Sequence, residues 1–336
     1  MLAATIAVLL AGEGATRALG PYLPEPLLYG DDTTQVKVAQ LDRRAEGCTD
    51  LVLAGDSMGR DAFAPAAFTA ADPAGRRAYN ASLDGASPAL LRRWLTEEVV
   101  PRLRPTTVVI TLSSLDVNVH ANAATSALAA YNAASLTAEG PVGHASSWVV
   151  GHSALVRYRT ELRDPSAIVD AVSGWRAGAP LPRRSADGIN GLIGPDGEGL
   201  SRRSLHYLHD VGTKSFTRDQ LLAGFAIDGR QVDEARDLIR DLQAGGMRVA
   251  LVILPVTADY LALHPRGRDD FDEFLATARS LATAAGAPLI DLHDQQPDDA
   301  RFADTHHLNA EGQAWFSTTL PARLADAGIA TDRRCG

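Results

Sequence analysis

Leu51-Val-Leu-Ala54 is a run without a polar side chain, and it breaks at once into Gly55-Asp56-Ser57. Consecutive rather than alternating apolar residues fit a strand buried on both faces, the condition of a central strand in a parallel sheet. The pattern returns at Thr107-Val-Val-Ile-Thr-Leu112, Met247-Arg-Val-Ala-Leu-Val-Ile-Leu-Pro-Val256 and Ala287-Pro-Leu-Ile-Asp-Leu292, and a further strand is expected around Arg77 to Asn80. Segments suited to helices lie between them: a short one after Ser57, then Pro88 to Leu103, Asp233 to Ala244, Asp270 to Ala285 and a closing Ala310 to Ala327. Strands alternating with helices predict an α/β fold of three layers, αβα, around a mostly parallel sheet.

Gly55 supplies the permissive backbone that a tight strand-to-helix turn needs, which places Ser57 at or near a helix N-terminus. Backbone N–H groups there lack intrahelical partners and the helix dipole favours developing negative charge, so a serine oxygen can act beside a ready-made oxyanion site. Taken alone, Gly-Asp-Ser more simply caps a helix through Asp56 or Ser57. Far downstream, Arg301-Phe-Ala-Asp-Thr-His-His-Leu-Asn-Ala-Glu-Gly312 holds Asp304 and His307 three residues apart. On one helical turn the two share a face. A serine is a weak nucleophile until a base takes its proton, and a histidine does so best when a carboxylate fixes its tautomer. The plain alternative is a surface aspartate with two solvated histidines. His306 reads as flanking the site.

Gly55-Asp56-Ser57 after an early strand, with Asp304-x-x-His307 near the end, resembles the SGNH (GDSL) hydrolases, whose sheet is flavodoxin-like. The resemblance implies Ser57 as nucleophile, His307 as base and Asp304 as the third triad member. Asn80-Ala-Ser-Leu-Asp-Gly85 looks like the family's second block, so the oxyanion is expected on the N–H groups of Ser57 and Gly85. The third block departs from the family. Where Gly-x-Asn-Asp is expected, the chain has Ser113-Ser-Leu-Asp116, with Leu115 at the oxyanion-binding asparagine's place. Asn118, Ser113 or Ser114 could take over, and Asn118 is the choice made here. Ser57, Gly85, Ser113 and the Asp304 loop all fall at the carboxyl ends of strands, where sites in open parallel sheets form.

Ile253-Leu-Pro-Val256, Ile290-Asp-Leu292 and Asp304-Thr-His-His-Leu-Asn309 with Gly312 resemble the branch that includes the lipoteichoic acid D-alanylation protein and the alginate O-acetyltransferases. That resemblance covers roughly half the chain. It implies an esterase or O-acyltransferase without cofactor or metal, acting on acylated carbohydrate or another ester of the cell envelope. It also implies a membrane-bound O-acyltransferase as partner, and an extracytoplasmic place, membrane-anchored or secreted.

The 336 residues allow one large or two ordinary domains, and a net charge of -9 without a basic stripe argues against nucleic acid. Residues 1–20 open with an apolar run, Leu2 to Ala11, shorter than the roughly 20 residues of a spanning helix. It is open to three readings: a truncated anchor, an uncleaved leader or an amphipathic helix. Residues 21–45 read as a stem with one irregular strand, and 46–118 with 246–330 as the core. Residues 119–245 read as a long insertion or lid: helical from Ala121 to Ala138, irregular from Gly174 to Lys214, and locally basic through Arg183, Arg184, Arg202, Arg203, His206 and His209. An idle surface loop is the alternative. Cys48 and Cys335 either pair, as suits an oxidising compartment, or stay free.

Two other classes remain open. Asp291, His293, Asp294, Asp304, His306 and His307 are suitable ligands for zinc or manganese in a metal-dependent hydrolase. Leu115 instead motivates a catalytically weak or inactive module that keeps the fold to bind polymer.

Overall fold

The computed structural model describes residues 2–26, 31–120, 122–135, 149, 152–181, 188, 191–295, 298–329 and 334–335. Arg183 and Arg184, and the end of the helix expected to reach Ala138, lie outside them; the described part of that helix is Asn122–Ser135. The chain divides into two compact units, Met1–Gln35 with Ala130–Ser185, and Val36–Ala129 with Ala186–Gly336. The segment read as one insertion, 119–245, is thus shared between them, and its second half belongs with the core.

The first unit is helical. Helix α1 (Leu2–Leu19) packs with the helices Ala154–Arg157 and Pro165–Ala177 around Leu23, Tyr158 and Ala171. Glu13 of α1 accepts hydrogen bonds from Ala154 N, Leu155 N and Ser153 Oγ at 2.8 to 3.1 Å, satisfying orphan donors at a neighbouring helix start. Ile6, Val8, Leu9 and Leu10 of α1 stay exposed. Among the described residues no helix is long and apolar enough to cross a membrane.

The stem expected over 21–45 is corrected; from Val36 on it belongs to the second unit. Asp32–Arg44 is a helix, α2, with Val36, Lys37, Val38, Gln40 and Leu41 buried. The helix has no plain apolar stripe because its inward face carries polar residues that serve irregular backbone. Lys37 Nζ donates to Asn80 O and Gly197 O, both at 2.7 Å, and Gln40 Nε2 to Gly194 O at 2.8 Å. Burial, with the charge of Arg60 adding to it, lowers the Lys37 ammonium to about 7.

Strands β1 (Leu51–Ala54), β2 (Ala78–Asn80), β3 (Thr107–Thr111), β4 (Arg248–Ile253) and β5 (Leu289–Asp291) form one sheet in the order β2-β1-β3-β4-β5. Every pairing is parallel. All residues of β1, β2 and β3 are buried, which is why Leu51–Ala54 and Val108 to Ile110 run apolar without alternation. Helices α3 (Ser57–Ala62), α4 (Pro88–Arg93, continued by a widened π-type segment to Val99), α5 (Gly229–Ala244), α6 (Arg268–Ala285) and α7 (Ala310–Asp326) cover the sheet. Helix α5 packs on both α4 and α6, while α3 packs on α7. The predicted α/β architecture is therefore present, with the strand order reversing between β1 and β3. Cys48, just before β1, is joined to Cys335 by a disulfide, and Asp50 accepts from Arg334 N and Cys335 N at 2.8 and 2.9 Å.

Candidate active site

The turn that carries Ser57 is built by close approach. A Cβ on Gly55 would lie 1.7 Å from Thr111 Oγ1 of β3, and one on Gly59 would lie 2.5 Å from the same oxygen and 2.8 Å from Ser82 Oγ. Only glycine lets the start of α3 sit this near the neighbouring strand. Asp56 caps the helix by accepting from Met58 N at 2.8 Å, which leaves Ser57 at its first position with its hydroxyl free to face outward. The capping role of Gly-Asp-Ser thus falls on Asp56, and Ser57 keeps its hydroxyl for other partners.

Asp304 and His307 do not share a helical turn, as the spacing suggested. They lie in an irregular loop closed by a bridge between Phe302 and Leu308. Asp304 Oδ1 accepts from the backbone N–H of His306 at 3.0 Å and of His307 at 2.9 Å, an aspartate-closed turn that brings the two side chains together without a helix. The loop is fixed beyond them by Asn309, whose amide donates to Ala300 O and Phe302 O and whose carbonyl caps α7.

The three residues meet. His307 Nε2 lies 2.9 Å from Ser57 Oγ, and Nδ1 lies 2.8 Å from Asp304 Oδ2. A carboxylate at Nδ1 assigns the proton to that nitrogen and leaves the Nε2 lone pair for the serine hydroxyl. Burial alone would raise the Asp304 carboxyl, but its interactions with His307 and His306 and the hydrogen bonds it accepts hold it well below the usual carboxylate range. His306 is 4% exposed, and burial, with the charge of His307 added, lowers it to about 3. It is a neutral neighbour, packed 4.1 Å from the His307 ring and lining the same cavity.

That cavity, of about 160 Å³, is lined by Ser57, Gly85, Leu115, Asp116, Arg202, Phe216, Leu221, His306 and His307. Arg202, Phe216 and Leu221 come from the stretch that had no period to read. A larger cavity of about 220 Å³ in the first unit is lined by Arg17, His152, Ser153 and Arg157, and its serine hydroxyl donates to Glu13.

Backbone donors for an oxyanion are present: the N–H groups of Ser57 and Gly85 have no partner among the described residues, and both residues line the cavity. The expected side-chain donor is not. Asn118 donates its amide to Leu221 O at 2.9 Å, and its carbonyl accepts from His120 N and Ala226 N. It is 5% exposed and is not part of the cavity lining. Ser113 Oγ donates to Asp56 Oδ2 at 3.0 Å, and Ser114 Oγ is held by Tyr260 Oη at 2.7 Å and His264 Nε2 at 3.0 Å. Leu115 stands in the cavity wall. Beside it, burial and then the charge of Asp56 push the Asp116 carboxyl well up.

Of the residues considered as metal ligands, Asp304, His306 and His307 converge, whereas Asp291 pairs with His293 Nδ1 at 2.6 Å and with Arg279. Within the converging set both nitrogens of His307 are already engaged, with Asp304 and Ser57. The donor set therefore fits a serine–histidine–aspartate relay better than a metal centre.

No family model matches the sequence, and no curated protein matches it. Solved structures do. A psychrotrophic esterase from Pseudoalteromonas aligns at 11% identity and a TM-score of 0.38, over 83% of this chain and 97% of its own. An acetylxylan esterase from Geobacillus stearothermophilus aligns at 11% and 0.40, over 86% and 98%. A GDSL-like lipase from Bacteroides thetaiotaomicron aligns at 10% and 0.40, over 87% and 95%.

Proposed function

We propose that the chain is a serine-dependent acyl-ester hydrolase or O-acyltransferase of the SGNH type, acting on cell-envelope carbohydrate or a similar acylated substrate. The observation that carries the reading is one contact: Ser57 Oγ lies 2.9 Å from His307 Nε2, whose other nitrogen faces Asp304, at the wall of a cavity that can hold an acyl group. His307 Nε2 takes the Ser57 proton as the serine oxygen bonds to the ester carbonyl carbon. The carbonyl oxygen gains the charge and is met by the N–H groups of Ser57 and Gly85. Collapse breaks the ester C–O bond, the leaving alcohol takes the proton from His307, and the acyl group stays on Ser57. Water or a sugar hydroxyl, deprotonated by the same His307, then removes it. Water makes the enzyme an esterase, and a hydroxyl acceptor makes it a transferase.

The Cys48–Cys335 disulfide supports an extracytoplasmic place, and the apolar, exposed start of α1 supports attachment to a membrane surface there. A membrane-bound O-acyltransferase is the proposed partner. Leu115 keeps a second reading in view, a weakly active binding module. Both are tested by fluorophosphonate labelling and p-nitrophenyl acetate hydrolysis of the wild type, Ser57→Ala and His307→Ala. The triad reading expects labelling and turnover by the wild type alone; equal turnover by all three refutes it.

A further inference from the structure

The two halves of the triad are far apart in sequence, and a single segment touches the supports of both. Residues 191–207 fold back on themselves through a bridge between Ile193 and Gly199. Gly199 N donates to Arg60 O of the nucleophile helix at 2.9 Å, and a Cβ on Gly199 would lie 2.0 Å from Asp61 Oδ1, so the backbone lies directly on α3. Gln313 Nε2 of α7 donates to both Asp61 O and Gly199 O, at 2.9 and 3.1 Å. A few residues on, Ala310 N donates to Arg203 O at 3.1 Å and Tyr207 N to Phe302 O at 2.9 Å, both within the frame of the acid–base loop.

Between those two sets of anchors stands Arg202. Its Nη1 donates to Asp61 Oδ2 at 2.6 Å, and its Nε lies 3.6 Å from Asp304 Oδ2, the oxygen nearest His307 Nδ1. Asp61 is itself buried and bonded by Arg60 Nε at 2.9 Å, and Arg60 also pairs with Asp84. Around Arg202, therefore, α3 presents Arg60 and Asp61, the loop presents Asp304, His306 and His307, and no further charge is needed to fix it. The guanidinium hydrogen-bonds Asp61 and stands in ion-pair range of Asp304, so carboxylates balance its charge on both sides.

We propose that the segment 191–207 is a brace coupling the nucleophile helix to the acid–base loop, with Arg202 as the positioning residue that holds the Asp304 carboxylate toward His307. This rests on the triad reading above. The brace makes the second half of the supposed lid part of the catalytic frame. Its cation also opposes protonation of the site, since it sits within ion-pair range of Asp304.

The test is p-nitrophenyl acetate hydrolysis as a function of pH by the wild type, Ser57→Ala, Arg202→Gln and Arg202→Lys. Arg202→Gln is expected to lower kcat about tenfold with KM within twofold, and to move the acid limb of the profile up by as much as about one pH unit, a unit being a tenfold change in proton affinity. Arg202→Lys keeps the charge but not the fork, so the limb stays while kcat recovers only in part. A wild-type kcat and limb in Arg202→Gln would overturn the brace and leave the triad standing. A change confined to KM, or equal losses in both variants with an unmoved limb, would also overturn it. A wild type no faster than Ser57→Ala would remove the triad reading, and the brace with it.

Discussion

Replacing Leu115 by asparagine should speed the enzyme. The oxyanion has two backbone donors, from Ser57 and Gly85, and the side chains placed to supply a third are occupied: Asn118 with Leu221, Ser113 with Asp56, Ser114 with Tyr260 and His264. Leu115 lines the same cavity as Ser57 and Gly85 and is partly exposed, so an amide there can face the reacting carbonyl without being buried unpaired. One oxyanion donor is typically worth about 3 kcal/mol of transition-state stabilisation, or about 100-fold in kcat. An introduced amide will not have evolved geometry, so a gain of about tenfold is the expected floor and about 100-fold the ceiling. Leucine and asparagine have similar shapes, and at a partly exposed position the loss of apolar burial should cost about 1 to 2 kcal/mol of stability. The assay is steady-state hydrolysis of p-nitrophenyl acetate, normalised to serine titrated with a fluorophosphonate. Leu115→Ala, which opens the same space without a donor, is the control. If Leu115→Asn turns over no faster than Leu115→Ala, the position does not address the oxyanion and the missing-donor argument fails.

Three other outcomes follow from the geometry. Cys48 and Cys335 are 287 residues apart, so reduction, or the double change Cys48→Ser with Cys335→Ser, should cost about 2 to 5 kcal/mol by freeing the unfolded chain; an unchanged urea midpoint under reductant would contradict this. Gly59→Ala drives a methyl against Thr111 Oγ1 and Ser82 Oγ and should destabilise by about 1 to 3 kcal/mol while weakening fluorophosphonate labelling, and wild-type melting with wild-type labelling would count against the close-approach account. His306 has its folded value lowered to about 3, below the ordinary 6.5, so between those limits the unfolded chain binds a proton that the folded one refuses. Stability from this group is complete above pH 6.5 and is lost as pH falls, by about 1.4 kcal/mol per pH unit. Urea titrations from pH 7 to 4 should therefore flatten in His306→Gln, and parallel curves for variant and wild type would dismiss the buried neutral histidine.

The sheet was legible because a strand buried on both faces has no alternative pattern: Leu51–Ala54 and Thr107–Thr111 could hardly be anything else. Helix α2 was not, since Lys37 and Gln40 point inward to serve backbone carbonyls and erase the amphipathic stripe. Asp304 and His307 were found by a spacing whose stated reason was mistaken; a loop closed by the aspartate's own oxygen does what a helical turn was expected to do. Asn118 was favoured on residue type alone, and type cannot tell an amide facing a cavity from one tied to Leu221 O. Arg202 was noticed as part of a basic stretch. That it lies between Asp61 and Asp304 depends on where an aperiodic segment runs, and no local pattern encodes that.

Ser57 and His307 are separated by 250 positions, and the sheet must be assembled before they touch. At translation speeds of about 5 to 20 residues per second, the nucleophile leaves the ribosome roughly 10 to 50 s before its base exists. A half-made chain therefore carries an inert hydroxyl, and a protease that clipped the polypeptide ahead of Asp304 would silence it without touching the serine. On the triad reading, only a finished molecule can react.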